Sequence, residues 1–185
     1  MRPSGKPRPP LDSAKLNELA LGYVGRFATT RSKLRAYLQR KLRERGWEGG
    51  QQPDLEAIAE RFASNGYVDD EAFAMATSRS LTARGYGPRR LDQSLRVAGV
   101  EEDDGAGARE LAGDQAIEAA LQCARRKRLG PFALQAADPK GHERALSAMI
   151  RAGHGFGLAR TILALSQREE IELESLAEEV RTRLL

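Results

Sequence analysis

Long apolar runs, cysteine and aromatic residues are all scarce in this 185-residue sequence. No apolar segment approaches the roughly 20 residues that a membrane-spanning helix needs, and the first residues contain no signal-like apolar segment. Cys123 is the only cysteine, so an internal disulfide is excluded. Its alanine-rich surroundings favour a small buried thiol over a reactive one. We therefore expect a cytoplasmic protein without membrane contact.

Metal-binding and catalytic patterns are also missing. His142 and His154 are the only histidines, and neither has the cysteine and carboxylate neighbours of a metal site. Residues 153–157 are glycine-rich and precede a helix, but they lack the strand and the Lys-Ser/Thr pair of a nucleotide-binding loop. The sequence therefore predicts no enzyme activity, no cofactor, no metal and no small-molecule ligand.

Charge is unevenly distributed along the chain. The net charge is +4, yet residues 1–50 contain twelve Lys or Arg against four Asp or Glu. Residues 166–185 contain three against six. The first ten residues, with four prolines, predict a disordered basic tail. This asymmetry indicates a negatively charged partner for the basic end.

Residues 65–100 predict two helices joined by a glycine turn, and the rest of the chain is organised around them. Gly66 suits the position that ends a preceding helix, and Asp69 suits the N-cap of the next one. Asp70 and Glu71 follow in its first turn. Gly85, Gly87 and Pro88 separate the two helices, and Gly99 ends the second. The expected inward faces are Phe73, Ala74, Thr77 and Leu81, then Leu91, Leu95 and Ala98.

Two further segments look like copies of this unit. Thr30 precedes leucines at the same spacing as Gly87 does, and Gly157 repeats the pattern with Thr161 and Leu165. The interval from Thr30 to Gly87 is 57 residues and that from Gly87 to Gly157 is 70. The excess of 13 equals the length of residues 101–113, which we interpret as an inserted acidic linker.

The chain is thus predicted to be all-α, a tandem array of three three-helix repeats that forms an elongated, curved, solenoid-like protein. The boundaries are a basic tail at 1–11 and repeats at 12–66, 67–130 (with the linker 101–113) and 131–185. We expect Asp12 or Ser13 to cap the first helix, with Phe27 on its apolar stripe, and Asp114 to cap a helix in the second repeat. A last helix near 169–185 should bury Ile171, Leu173, Leu176, Val180 and Leu184 and expose its glutamates.

The helix after Thr30 carries seven basic residues and one acidic residue, more than pairing along one helix can neutralise. Such a helix can follow a phosphate backbone or an acidic protein surface, and the sequence leaves both open. Cations at the end of a helix also stabilise its negative end, which accounts for part of the run at 125–128. The predicted partner or DNA contacts are Arg31, Lys33, Arg35, Arg40, Lys41, Arg43, Arg45, Arg89, Arg90, Arg125, Arg126, Lys127 and Arg128.

The central stretch contains a distinctive set of residues to which we assign mainly structural roles: Gly66, Tyr67, Asp69, Asp70, Phe73, Ala74, Gly85, Tyr86, Gly87, Leu91, Leu95 and Gly99. This set closely resembles the central motif of the RecX family, bacterial regulators of the RecA recombinase. The first repeat, which ends Lys-Leu-Arg-Glu-Arg-Gly-Trp, and the third are similar to that family as well. Thr161, where an aliphatic residue is usual, and the longer stretch at 101–113 depart from the pattern.

The resemblance implies a regulator that lies in the groove of the RecA–DNA filament, and we expect the chain to be a monomer. There it would inhibit filament extension, ATP hydrolysis, strand exchange and co-protease activity in DNA repair and the SOS response, with at most weak non-specific DNA contact. One alternative is a stand-alone helical DNA-binding protein that uses the basic helices at 31–45 and 114–128. Another is an adaptor for a different protein.

Overall fold

A computed structural model describes residues 9–135, 138–166 and 172–184, and these residues are helical apart from their connections. The pairing of Leu11 with Trp47 is an isolated bridge in this part of the chain. The predicted all-α class is confirmed. The helices are α1 Ser13–Val24, α2 Arg31–Arg45, α3 Leu55–Ser64, α4 Asp70–Ala83, α5 Pro88–Ala98, α6 Glu102–Asp114, α7 Ala116–Lys127, α8 Pro139–Arg151, α9 Phe156–Leu163 and α10 Leu173–Leu184, with a 3-10 turn at Gly130–Phe132.

The chain divides into two compact units. The first comprises Met1–Phe73 and Ala98–Glu101, and the second comprises Ala74–Val97 and Glu102–Leu185. Within the described residues, no helix combines the length and the hydropathy that crossing a bilayer requires.

The helices of the first unit begin where the capping residues predict. Asp12, Thr30 and Asp54 each accept a hydrogen bond from the backbone N–H three residues ahead, at 2.7, 3.1 and 3.0 Å. These contacts satisfy N–H groups that a helix leaves without an internal partner. Apolar faces of α1, α2 and α3 then meet in one core built on Leu11, Leu16, Ala20, Leu34, Leu38, Ala59, Phe62 and Val68.

The second unit has its core among α7, α8, α9 and α10. Its buried members are Ala120, Leu121, Ala124, Ala145, Met149, Ala159, Ile162, Leu163, Leu165, Leu176, Ala177 and Val180. The small alanines on α7 allow close approach of its neighbours. Helix α7, which we placed in the second repeat, therefore packs in the same core as α8, α9 and α10. The repeat boundaries themselves stay a prediction.

The interpretation of residues 101–113 as a linker is wrong, because Glu102–Asp114 forms helix α6. Three acidic residues in its first turn suit the positive end of the helix dipole. Gly105, Ala108 and Ala112 are buried, and the hydroxyl of Ser78 on α4 donates to the carbonyl of Ala108 at 2.9 Å. Its glycines favour flexibility in isolation, but its alanines favour a helix, and the small side chains together provide a smooth face for packing.

Several finer assignments also need correction. Asp114 ends α6, and the N-cap of α7 is Gln115, whose side chain makes no capping hydrogen bond. Thr77, which we placed on the inward face of α4, is half-buried, whereas the neighbouring Ser78 is fully buried. Phe27 lies beyond the end of α1 and is 56% exposed, and Leu184 is 46% exposed at the end of α10. The predicted roles of residues 1–8, of Glu169, Glu170 and Ile171, and of Leu185 lie outside the described residues.

Candidate partner-binding surface

In the N-terminal half of the basic helix α2, the arginine side chains pair with carboxylates of the first unit and stabilise its fold. Asp70, at the start of α4, is 6% exposed and accepts a hydrogen bond from the backbone N–H of Arg31 at 2.9 Å. The guanidinium of Arg31 lies 3.4 Å from the same carboxylate and 3.3 Å from Glu60. Arg35 pairs with Glu56 of α3. These two predicted contact residues therefore hold helices together.

The C-terminal half of α2 presents Arg40 and Arg43 to solvent, whereas Lys41 and Arg45 are half-buried. Arg40 and Lys41 share the carboxylate of Glu44, at 3.9 and 2.6 Å. Arg43 is exposed and ion-pairs with no residue in the part of the chain that the structure describes. Arg45 donates to the carbonyl of Pro9 at 3.0 and 2.8 Å, which leaves its charge unneutralised by that contact.

Aromatic rings lie against three of the cations of α2. Tyr37 stacks on Tyr23 of α1 with ring centroids 4.2 Å apart. The guanidinium of Arg40 and the ammonium of Lys41 lie 5.6 and 5.8 Å from the Tyr37 centroid. Lys33 sits over Phe73 at 4.4 Å. A ring face attracts a cation and limits its motion, so the helix presents charges in defined positions.

The motif residues of the central stretch act mostly in turns and close packing. Gly66, Gly85 and Gly99 have positive φ angles of 74°, 76° and 67°. Asp69 caps α4 through the N–H of Ala72 at 2.7 Å. Ala74, Leu91 and Leu95 are buried, Phe73 lies under Lys33, and Tyr67 packs against Phe62 with 5.6 Å between centroids.

Within the second unit, the turn after α4 docks directly on the turn after α8. The N–H of Gly87 donates to the carbonyl of Ala152 at 2.9 Å, and the N–H of Arg89 donates to that of Gly153 at 3.2 Å. A Cβ atom on Gly87 would lie 2.5 Å from the Gly153 carbonyl oxygen. The two glycine turns have similar sequences, and in the structure they form one backbone-to-backbone contact.

His154 lies at the centre of this contact and is fully buried. Its Nε2 lies 3.1 Å from the carbonyl of Gly85, so this nitrogen carries the proton and donates. Nδ1 is buried without a hydrogen-bond partner among the described residues. Burial lowers the pKa of His154 below its ordinary 6.5, against the opposing effect of the hydrogen bond to Gly85.

A pH dependence of stability follows from this pKa. Below pH 6.5 the unfolded chain binds a proton at His154 that the folded chain resists, so the free energy of unfolding falls as the pH drops through this range. The slope from this group reaches at most about 1.4 kcal/mol per pH unit. Urea denaturation at a series of pH values measures it. His154→Gln should flatten the slope relative to wild type; equal slopes in the two proteins would contradict the assignment.

The remaining predicted cations lie in the second unit. Arg89 is exposed, and Arg90 donates to Gln93 at 2.9 Å and lies 5.9 Å from the Tyr86 centroid. Arg125, Arg126, Lys127 and Arg128 are all exposed at the end of α7. Arg126 donates to the carbonyl of Arg84, and Arg128 takes the left-handed conformation that ends the helix. Arg84 and Arg151, which were not among the predicted contacts, lie beside this run.

Fold and surface together define an all-helical repeat protein whose polar groups serve helix capping, packing and the display of cations. A family model described as RecX, second three-helix domain, matches residues 69–108. The chain is 35% identical over 156 residues to Regulatory protein RecX of Myxococcus xanthus (strain DK1622), which covers 80% of this chain and 83% of the relative.

A second relative and a solved structure agree with this match. Regulatory protein RecX of Thermobifida fusca (strain YX) is 34% identical over 177 residues, covering 92% of this chain and 90% of the relative. The crystal structure of RecX from Lactobacillus salivarius shares the fold with a TM-score of 0.61 at 17% identity, covering 80% of this chain and 92% of that one. The chain belongs to the RecX family of regulatory proteins.

Proposed function

We propose that this chain binds the RecA–DNA filament along its helical groove and inhibits the recombinase. Membership in a family of regulatory proteins and the exposed cations of α2 support the proposal. A filament of protein and DNA presents phosphates and acidic side chains repeatedly along its length. Helical repeats suit such a partner, because many weak contacts on one chain combine into a single multivalent attachment.

The proposal rests on the different contacts that the two ends of α2 make. Arg31 and Arg35 are paired with carboxylates that belong to neighbouring helices, so they fix the orientation of the helix. Arg40 and Arg43 extend from the other end into solvent. Charges held on a rigid helix steer association with a negative surface and add affinity that salt weakens.

Replacing Arg40 and Arg43 by glutamine should therefore weaken filament binding about tenfold, since each exposed charge contact contributes roughly 0.5–1 kcal/mol. The fold should survive, because both side chains are exposed. Co-sedimentation of the full chain with preformed RecA filaments on single-stranded DNA measures the affinity. The matched control is Arg96→Gln/Arg144→Gln, which removes the same charge from exposed positions on α5 and α8.

If the control variant loses as much affinity as the α2 variant, net charge alone governs binding and α2 is not the contact surface. If the wild-type chain does not sediment with filaments but binds single-stranded DNA alone, the chain acts as a DNA-binding protein.

A further inference from the structure

Four basic side chains converge on one cleft of the second unit. Arg84 from the end of α4, Arg126 and Lys127 from the end of α7, and Arg151 from the end of α8 line a volume of about 330 Å³. Tyr86 and Cys123 complete much of its wall. Every lining residue with a charged side chain is basic. These four residues are up to 67 positions apart in sequence, so only the fold brings them together.

Helix capping accounts for part of this charge. Arg84 donates to the carbonyl of Ser80 at 3.1 Å, and Arg126 donates to the carbonyl of Arg84. The negative end of each helix is equivalent to roughly half an elementary charge, so three helix ends offset less than half of four cations. The side chains of Lys127 and Arg151 make no hydrogen bond or ion pair with any residue described by the structure. The cleft therefore has a positive charge that the fold itself does not use.

The residue types favour phosphate over carboxylate as the ligand. A phosphate group concentrates up to two negative charges and several acceptor oxygens on one centre, which several guanidinium and ammonium groups can share. The carboxylates of an acidic peptide are single charges on separate side chains. One such carboxylate in the cleft would face four cations and would neutralise only one of them. The volume also suits a phosphate or diphosphate group with its water.

We propose that this cleft binds phosphate groups, carried either by a nucleic-acid strand or by a free polyphosphate such as a nucleotide. Arg84 and Arg126 line the cleft while also donating to backbone carbonyls, and Lys127 and Arg151 supply the unneutralised charge. Cys123 lies at the wall as an inert thiol: it is 3% exposed, and burial raises its pKa. This site goes beyond the proposed filament binding and does not depend on it.

The test uses the full chain without any recombinase, so its outcome is separate from that of the filament experiment. Inorganic pyrophosphate, a single-stranded oligothymidylate and an oligoglutamate peptide are titrated by calorimetry or fluorescence anisotropy. Lys127→Gln/Arg151→Gln removes the two cations that make no structural contact, so the fold should be retained. Arg96→Gln/Arg144→Gln again provides the control with equal net charge.

We expect the cleft variant to bind pyrophosphate at least tenfold more weakly than wild type, with the control within twofold. For the oligothymidylate, the slope of log K against log salt should become shallower by about 1.4, because each lost contact to a single strand contributes about 0.7. Loss for both ligands identifies a strand-binding site, and loss for pyrophosphate alone identifies a free polyphosphate site. The proposal is overturned if wild type binds neither ligand, if the control loses as much as the cleft variant, or if oligoglutamate binding shows the same dependence.

Discussion

Gly153→Ala is expected to lower the free energy of unfolding by about 3 kcal/mol. Gly153 has φ +96°, a conformation that costs a residue with a Cβ roughly 1–2 kcal/mol. Its added Cβ would also lie 2.6 Å from the backbone nitrogen of Arg90 and 3.0 Å from the carbonyl oxygen of Gly87. These are backbone atoms of the docked turn (Gly87) and of the first turn of α5 (Arg90), and forcing them away adds roughly 1–3 kcal/mol. Urea denaturation followed by circular dichroism measures the loss.

Gly157→Ala is the matched control, four residues away in the same glycine-rich stretch. It lies within helix α9, and a Cβ there would meet open space. Alanine should stabilise this position by about 0.5–1 kcal/mol, because it favours the helix more than glycine does. The two substitutions are chemically identical and should have opposite signs. A destabilisation of similar size at both positions would show that the docked turns are not the cause.

Asp70→Ala should cost about 2–3 kcal/mol. The substitution removes the acceptor for the backbone N–H of Arg31 and leaves the Arg31 guanidinium with less compensation. The Asp70 side chain is 3% exposed and that of Arg31 is 22% exposed, so water replaces the lost contacts poorly. Glu60 still lies beside Arg31, which limits the loss. Urea denaturation again gives the value.

The adjacent Asp69 provides the comparison for this prediction. Asp69 caps α4 from an exposed position, so Asp69→Ala should cost about 1 kcal/mol, the usual contribution of an N-cap. Asp70→Asn retains an oxygen acceptor without the charge and should lie between the two. If Asp70→Ala costs no more than Asp69→Ala, the buried carboxylate acts as a helix-start residue alone and does not join α2 to α4.

The helix boundaries were predictable because their signals are local. Asp12, Asp54 and Asp69 cap the helices that follow them, and Gly66 and Gly85 end the helices before them, within a few residues of sequence. Such signals depend on backbone groups left unpaired at helix ends and not on the rest of the fold. The periodic leucines of α2 and α5 identified the buried faces because their spacing follows the period of a helix, which is also a local signal.

The main features that sequence reasoning missed depend on distant contacts. Residues 101–113 contain glycine and alanine, whose role in a packed helix appears only when α4 lies against them. Asp70 was interpreted as a first-turn acid because Arg31 is 39 residues away. The docking of His154 on Gly85 and the basic cleft likewise join segments that no local pattern relates.

The basic run at 125–128 shows how both kinds of information combine. The sequence indicated an excess of charge beyond capping but could not say where that charge points. The structure places Arg126 on the carbonyl of Arg84, in the turn after α4, and Lys127 in the lining of a cleft shared with Arg84 and Arg151. The functional hypothesis thus moves from four consecutive residues to a set defined by three helix ends.

The measurement that most directly tests regulation of the recombinase is a titration of this chain into RecA hydrolysing ATP on single-stranded DNA. If the chain lies along the filament and blocks its extension, the hydrolysis rate should fall well before the chain equals RecA in concentration. Arg40→Gln/Arg43→Gln should shift this titration to higher concentrations, whereas Arg96→Gln/Arg144→Gln should not. A rate that stays constant up to a large excess of the wild-type chain would contradict the proposed function.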